Sequence, residues 1–427
     1  MINRKAFLIV LMLLLSSVIL PAQGENLTVK IAVMGPGNEV YFWWGHIALI
    51  IEDSITGRSR FYDYGIFSFD NENFYYNFAF GRMLYSSGVS STENNIAAAI
   101  NRDRSIVIYT LDLPPETRVM VRDFVENNVL PENRDYYYHH FRDNCSTRIR
   151  DIIDLATGGQ FKEQYGQSPG RFTLREQVRR HTWFSPVVDW ILNFWMGQVI
   201  DTTITEWDDM FLPSETGARI DSFFYTDIHG ARRKLVSDAQ TIHRSENRPA
   251  ALDTPRRQWP GPLVFSIALS AIFYFFFFLN EKKFRAGRVL AGISMSIAGL
   301  VFGIAGVTLY FLVLFTNHDY TFQNYNMIFC TPFLLASFPI GICYAFTKKN
   351  DKLIVYDRLL RLIWFISVMG IVISMLIKLL PGFYQQNLAD QLLMLPIALV
   401  FSLHSIRFRD FINKFSPGAR SLRSRRK

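Results

Sequence analysis

The sequence predicts an α+β exported domain followed by an all-α transmembrane bundle of about five helices. A basic start, Met1–Lys5, precedes the apolar run Ala6–Leu20, which is the pattern of an export signal. Short β-branched or aromatic runs and helix-like repeats follow, which is typical of an α+β domain. Hydrophobic residues make up 49% of the chain and 38 residues are phenylalanine, and the excess over an ordinary soluble protein lies after Gly261.

The pattern divides the chain into a signal peptide (1–23), an exported Cys/His domain (24–245), a polar linker that contains proline (246–260), and a transmembrane domain with a tail (261–427). Cleavage of the signal peptide is expected after Ala22. Leu20, at the minus-three position, is not the usual small residue, so retention of this segment as a membrane anchor is the alternative.

The exported domain is expected to begin with strands and to continue with helices. Asp53–Gly57 is typical of a hairpin turn, and a hairpin hinged there would place His46 opposite residues 63–65. Helices are expected over about 115–128 and 145–156. The expected strands are Leu27–Met34, His46–Glu52, Ser59–Phe67 and Ser105–Leu111.

Apolar spans of nearly the roughly 20 residues that cross a bilayer core fill the last part of the chain. The final span is the least regular, because it contains Pro396. Before these spans, apolar residues cover most of the circumference of a tryptophan-rich helix at 184–195, so part of this helix is expected to lie against lipid or against the membrane spans. The expected spans are Pro262–Leu279, Val289–Phe315, Met327–Phe346, Leu360–Leu380 and Leu388–Ser405.

Lysine and arginine cluster on one side of these spans. Segments 282–288, 348–361 and 407–427 are rich in both, whereas the loops 316–326 and 381–389 contain neither. The bias predicts an exported N-terminal domain and a cytoplasmic C-terminus. The net charge of +8 is then explained largely by loops beside anionic lipid, and no nucleic-acid partner is expected.

Cys145 is the cysteine that lies outside the hydrophobic spans, and it is the strongest candidate for chemistry. Asn144 is a good N-cap, which places the thiol in the first turn of a helix, where unpaired N–H groups and the helix dipole favour a thiolate. Arg148, one turn further on, adds a cation on the same face. The alternative is a free cysteine used as a small buried hydrophobe.

A nucleophilic cysteine needs a base, normally a histidine with an orienting group. His46 heads a strand that is otherwise apolar, and Asp63 is the candidate to orient its imidazole. The adjacent pair His139 and His140 is the alternative base. His181, after two arginines, is expected to be solvated. No glycine-rich phosphate loop and no metal-ligand spacing occur in the sequence, so no metal and no cofactor are expected.

The order of these motifs resembles the circularly permuted papain-like group, in which the histidine precedes the cysteine. Lecithin:retinol acyltransferases have this order and also place asparagine before the cysteine. The chain is more similar to the Lnb family of bacterial lipoprotein N-acyltransferases, although Trp43-Trp44 before the Gly-His pair departs from its pattern. The matching motifs are Trp44–Leu49, Tyr62–Phe67, Tyr136–Asp151, Phe211–Pro213 and the loop His318–Asn326 with Pro332 beyond it.

This resemblance implies a permuted papain-like fold in the periplasm, joined to a multi-pass domain in the inner (cytoplasmic) membrane. Cys145, deprotonated by His46, would take a fatty acyl chain from a phospholipid and pass it to the N-terminal cysteine amine of a diacylated lipoprotein. Phospholipid, lipoprotein and membrane lipid are therefore the expected partners. Helix-start N–H groups, helped by Asn144, would hold the oxyanion.

The resemblance also suggests substrate contacts. The expected substrate-binding residues are Arg148 in the cysteine helix and His318, Asn324 and Asn326 in the outer loop. A polar loop at a membrane interface is the simpler interpretation of the last three. Two other functions remain as alternatives: a membrane-anchored Cys/His peptidase or amidase acting on cell-wall or protein substrates, and a non-enzymatic sensor or assembly factor.

Overall fold

The computed structural model describes residues 24–70, 72–248 and 250–404, and these form two compact units. The first unit consists of two segments of the chain, one that ends at Phe184 and one that runs from Thr203 to Thr254. The second unit contains residues 185–202 and begins again at Pro255. The chain therefore leaves the first unit once and returns to it, which the sequence did not predict. The expected signal peptide and the basic tail lie outside the described residues.

The first unit is an α+β domain, as the sequence predicted. Its strands are β1 Leu27–Met34, β2 His46–Asp53, β3 Arg58–Ile66, β4 Leu84–Ser91, β5 Ile106–Leu111, β6 Asp135–Tyr137, β7 Pro169–Thr173, β8 Thr203–Thr205, β9 Phe224–Thr226, β10 Arg232–Lys234 and β11 Val236–His243. Its helices are Phe74–Ala79, Thr92–Asn101, Pro115–Asn128, Cys145–Ala156, Gln160–Tyr165, Leu174–Thr182, Glu206–Asp209 and Pro213–Ser222.

A seven-stranded sheet in the order β11-β5-β1-β2-β3-β4-β6 organises this unit, and its neighbouring strands are antiparallel. Both faces are covered. Val29 and Ile31 of β1 pack on one face with residues of the helices that begin at Pro115 and Cys145. Ala32 packs on the other face with Ala99 of a shorter helix. The alternating side chains of β1 therefore serve two cores.

The hairpin between β2 and β3 confirms the predicted turn, because Asp53 pairs with Arg58 at its end. The helices Pro115–Asn128 and Cys145–Ala156 also begin and end as predicted. Strands β4, β6 and β11 were not predicted. Five of the eight side chains of β4 are serine or glycine, which gives little hydrophobic signal, and the strand is held by its hydrogen-bonded neighbours.

The second unit is helical. Three of its described helices are long and apolar enough to cross a membrane: Pro260–Glu281, Arg285–Phe315 and Asn350–Ile377. Two shorter apolar helices, Pro332–Phe346 and Leu388–Leu403, lie where the third and fifth spans were predicted. The third begins after Met327, because residues 325–328 form a separate 3-10 turn.

Glycine lets the long helix Arg285–Phe315 lie close to the shorter apolar helix Pro332–Phe346. A Cβ added to Gly299 would lie 2.4 Å from the Ser337 Cβ atom, and one added to Gly303 would lie 2.6 Å from the Leu335 nitrogen. Small residues allow this approach, which increases van der Waals contact where no hydrophobic effect drives association.

The tryptophan-rich helix, Pro186–Trp195, belongs to this second unit and not to the sheet domain. Trp190, Phe194 and Trp195 pack in the same hydrophobic cluster as residues of the membrane helices. The predicted contact of this segment with the membrane spans is therefore confirmed.

Candidate active site

Asn144 builds a complete cap at the start of the cysteine helix. Its Oδ1 atom accepts hydrogen bonds from the backbone N–H groups of Ser146 (2.8 Å) and Thr147 (3.0 Å). The Thr147 hydroxyl accepts one from the Asn144 N–H at 2.8 Å, which closes a capping box. The cap fixes Cys145 at the first helical position, where its side chain is partly exposed.

The amide nitrogen of Asn144 is also fully used. It donates to the carbonyl oxygens of His140 at 2.7 Å and Phe211 at 3.0 Å. Since both hydrogens of this NH₂ group point at carbonyls, Asn144 positions the start of the helix. This geometry assigns it a structural role in place of the expected help to an oxyanion.

His46 and Asp63 meet across strands β2 and β3. Nε2 of His46 lies 2.7 Å from Oδ1 of Asp63, and both side chains are largely buried. A carboxylate only accepts hydrogen bonds, so Nε2 carries a proton and Nδ1 is left for the sulfur. Gly45 has φ +83° and lets the chain pass close to Met34 as it enters β2, because a Cβ at Gly45 would lie 2.8 Å from the Met34 carbonyl oxygen.

Cys145 lies beside His46, close enough for a thiolate charge to act on the imidazole. Burial alone would lower the pKa of the imidazole. The negative charges of Asp63 and of a Cys145 thiolate, together with their hydrogen bonds, outweigh burial and raise the pKa of His46 from 6.5 to about 10. At neutral pH an imidazolium therefore lies between a carboxylate and the sulfur, which suits nucleophilic chemistry at Cys145.

The other candidate histidines have different roles. His139 Nδ1 accepts from the backbone N–H groups of Phe141 and Arg142, both at 3.1 Å, so it stabilises the turn before the cysteine helix. The His140 ring packs edge-on against Tyr138, with centroids 5.4 Å apart. Within the described part of the chain, no group of three or more His, Cys, Asp or Glu side chains is arranged to hold a metal ion.

The expectation that His181 is solvated was wrong. Its side chain is 4% exposed, and Nδ1 donates to the Gln177 carbonyl oxygen at 2.9 Å. Burial lowers the pKa of His181 to about 4, so it is a neutral core residue. The preceding arginines misled the interpretation, because a helix beside two charged residues can still turn the next side chain inward.

Two family models match the chain. One, described as the Lnb N-terminal periplasmic domain, matches residues 21–180, and the other, described as the Lnb transmembrane domain, matches residues 255–412. The chain belongs to the Lnb family. No curated protein and no solved structure matches it significantly. This Lnb protein is thus a membrane protein with a periplasmic domain, and that domain contains the Cys145 arrangement.

Arg148 of this Lnb protein is neutralised within the fold. Its guanidinium makes two hydrogen bonds to Asp143, at 2.6 Å and 2.9 Å, and lies 3.7 Å above the ring of Tyr136. A bidentate carboxylate and a stacked ring leave little of a guanidinium for a substrate anion. The geometry therefore assigns Arg148 to the wall of the site, although the sequence suggested substrate binding.

Sequence reasoning missed Arg104, a buried cation beside the site. Its side chain is 3% exposed, its Nε donates to the Gly35 carbonyl oxygen at 3.0 Å, and its guanidinium lies 4.2 Å from the Phe42 ring. Burial lowers the pKa of Arg104 to about 10, against the opposing attraction of Cys145. Arg104 holds the loop that leads into β2, and no local sequence signal pointed to it.

Two tyrosines of the segment before the cysteine helix form another wall. Burial, reinforced by the charge of Cys145, raises the pKa of Tyr136 and of Tyr138, so both stay neutral. Gly65, with φ +86°, makes room for them, since a Cβ there would lie 3.3 Å from the Tyr138 ring. This contact links the motif around Gly65 to the motif around Cys145.

The asparagines of the loop His318–Asn326 hold a helix end. Asn324 Nδ2 donates to the carbonyls of Phe194 at 2.9 Å and Trp195 at 3.0 Å, where the tryptophan-rich helix ends. Asn326 Nδ2 donates to Phe194 and to a carboxylate oxygen of Asp390. These contacts explain why the loop contains asparagine, because its side chains donate to carbonyls that have no partner within the helix where the helix ends.

His318 lies in the same loop and is also buried, at 5% exposed. Its Nδ1 atom is 2.7 Å from the Tyr320 hydroxyl. The expected substrate-binding set in the loop is therefore part of the packed interior of the second unit.

Proposed function

We propose that this Lnb protein is a cysteine-dependent acyltransferase that moves a fatty acyl chain from phospholipid to the N-terminal cysteine amine of lipoproteins. The observation that carries the proposal is the position of Cys145, at a helix start and beside the hydrogen-bonded pair of His46 and Asp63. Membership of the Lnb family supports it, because a catalytic domain attached to membrane helices suits two substrates that are anchored in a bilayer.

In the first half-reaction, the Cys145 thiolate attacks the carbonyl carbon of a phospholipid ester. The sulfur–carbon bond forms, the ester carbon–oxygen bond breaks, and the His46 imidazolium gives its proton to the departing alkoxide. The products are a thioester on Cys145 and a lysophospholipid. Asp63 keeps the imidazole in the tautomer that this transfer needs.

In the second half-reaction, the lipoprotein amine attacks the thioester carbonyl. The amide carbon–nitrogen bond forms, the carbon–sulfur bond breaks, and the amine proton passes to His46, which restores the thiolate–imidazolium pair. Asn144 accepts from the N–H groups of Ser146 and Thr147, so we assign the oxyanion to the N–H of Cys145 in the same first turn.

The test is to trap the thioester. The full chain in nanodiscs with acyl-labelled phospholipid should form a hydroxylamine-sensitive adduct at Cys145, and Cys145→Ser should form none. His46→Ala should slow its formation about 10²- to 10⁴-fold. His229→Ala, a change at an exposed histidine, is the matched control and should keep the wild-type rate.

The acceptor is tested in cells that lack any other N-acyltransferase. Mass spectrometry of lipoprotein N-termini should find the N-linked acyl chain with the wild-type chain and lose it with Cys145→Ser. Release of cell-wall peptides without lipoprotein acylation would replace this proposal by the peptidase or amidase alternative.

We further propose placement in the inner membrane, with the catalytic domain in the periplasm and the C-terminus in the cytoplasm. The one-sided distribution of lysine and arginine supports this topology. A reporter that is active only in the cytoplasm should be active when it is fused after the last residue, and a reporter that is active only in the periplasm should be inactive there. A C-terminal reporter that is active in the periplasm would contradict five spans.

A further inference from the structure

Aromatic side chains form a surface beside the catalytic residues that the proposed reaction does not use. We call it the aromatic ridge, and it consists of Tyr41, Phe67, Phe69, Phe74, Tyr75 and Phe78. Its rings touch in sequence, with centroids 5.2 Å apart for Phe67 and Phe69 and 5.1 Å for Phe69 and Phe74.

The ridge is exposed to a degree unusual for such side chains. Tyr75 is 70% exposed, Phe69 49% and Phe78 44%. Contiguous exposed apolar side chains of this kind mark a contact with a protein or a membrane. Residues 66–80 contain Asp70 and Glu72 but no lysine or arginine, so this segment offers no cation to an anionic lipid.

Ring contacts connect the ridge to the nucleophile. Phe67 stacks on Tyr85 at 5.0 Å, and Tyr85 contacts Tyr138 at 4.6 Å. Tyr138 lies close enough to Cys145 for the thiolate charge to act on it. An apolar path therefore runs from the exposed rings to the wall of the active site.

The short linker and the aromatic composition favour bilayer lipid as the partner of this surface. Residues 255–259 are all that separates the end of the first unit at Thr254 from the first membrane helix at Pro260. Five residues span at most about 18 Å, so the chain end at Thr254 is tethered close to the start of the first membrane helix. Tyrosine and phenylalanine are residues that settle at the lipid–water interface.

We infer that the aromatic ridge inserts into the outer face of the bilayer and delivers the phospholipid acyl ester to Cys145. Delivery of the acyl donor rests on the proposed acyl transfer. Contact of the ridge with the membrane does not depend on it. It assigns the acyl donor to lipid taken laterally from the bilayer.

Photolabelling tests the membrane contact. The full chain in phosphatidylcholine nanodiscs is irradiated with a diazirine-bearing phosphatidylcholine and digested with trypsin, and the peptide Phe61–Arg82, which contains most of the ridge, should carry lipid. The peptide Ile220–Arg232 is the control, because Phe224 and Ile228 are 49% and 64% exposed. Equal or lower labelling of Phe61–Arg82 would overturn the inference.

A donor comparison tests delivery. The double variant Phe69→Ser/Tyr75→Ser should slow acylation of Cys145 by nanodisc phospholipid about 10-fold and leave acylation by soluble p-nitrophenyl acetate unchanged. Phe224→Ser should change neither rate. Equal slowing with both donors would overturn delivery by the ridge. Failure of the wild-type chain with both donors would overturn the proposed function, while the photolabelling would still decide the membrane contact.

Discussion

The Nε2 atom of His46 and the Oδ1 atom of Asp63 lie 2.7 Å apart across two neighbouring antiparallel strands. The β2–β3 hairpin sets this distance, so the base and its orienting group are fixed by the register of the sheet. Loops supply neither of them. Register is strongly specified here, because a slip by one residue would move every side chain of the hairpin to the other face.

Asp63→Asn should change the pH dependence of Cys145 acylation. The raised pKa of His46 means that its charged form persists up to about pH 10, and the same pairing stabilises the fold fully below pH 6.5 and is lost as pH rises through about 10. Removing the Asp63 charge should shift the alkaline limb of the rate profile towards 6.5 and lower the rate at neutral pH. An unchanged limb would exclude Asp63 as the partner of the base.

Arg104→Gln should slow acylation about 10- to 100-fold, since the loop that leads to His46 loses its anchor at Gly35. Arg102→Gln is the matched control, because Arg102 is exposed and lies 5.8 Å from the same Phe42 ring. Rates are measured with the full chain in nanodiscs across pH. Equal rates for the two variants would mean that Arg104 has no part in positioning the site.

Asn144→Ala should lower the free energy of unfolding by about 2 kcal/mol, because it removes an N-cap and the Nδ2 donor to the carbonyls of His140 and Phe211. Denaturant unfolding of the full chain in detergent measures it. Asn94→Ala, at an exposed position of another helix, should change stability by less than about 0.5 kcal/mol.

His181 should make the fold sensitive to acid. Its pKa is about 4 in the folded state and 6.5 when unfolded, so the unfolded chain binds more protons between these values and stability falls as pH drops from 6.5 to about 4. His181→Gln should remove about 3 kcal/mol of this pH-dependent loss. His229→Gln, at an exposed site, is the control and should change the unfolding free energy at neutral pH by less than about 0.5 kcal/mol.

Asn324→Ala should reduce the thermal stability of the membrane domain, because two carbonyls at the end of the tryptophan-rich helix lose their donor. Asn317→Ala, an exposed neighbour, is the control and should be near neutral. Melting temperature in detergent and abundance in cells measure the effect. Lost lipoprotein acylation at unchanged stability would instead support the substrate role that the sequence suggested for this loop.

Local patterns of residues were sufficient to predict several features of the structure. The length of the apolar runs predicted the three helices that are long enough to cross a membrane, and the Asn144 cap with the following apolar repeat predicted the cysteine helix. The hairpin turn at Asp53–Gly57 was enough to bring Asp63 to His46, because in an antiparallel pair the turn sets the register. Each of these depends on residues close together in the chain.

Long-range packing sets which side chains share an environment. Arg104 reaches Gly35 over 69 residues of chain, and Asn324 caps a helix that ends about 130 residues earlier. His181 is buried although its neighbours in sequence are charged. Burial and pairing of this kind are set by long-range packing, which a local pattern of polar and apolar residues does not encode, so the chemistry of the site follows from the fold.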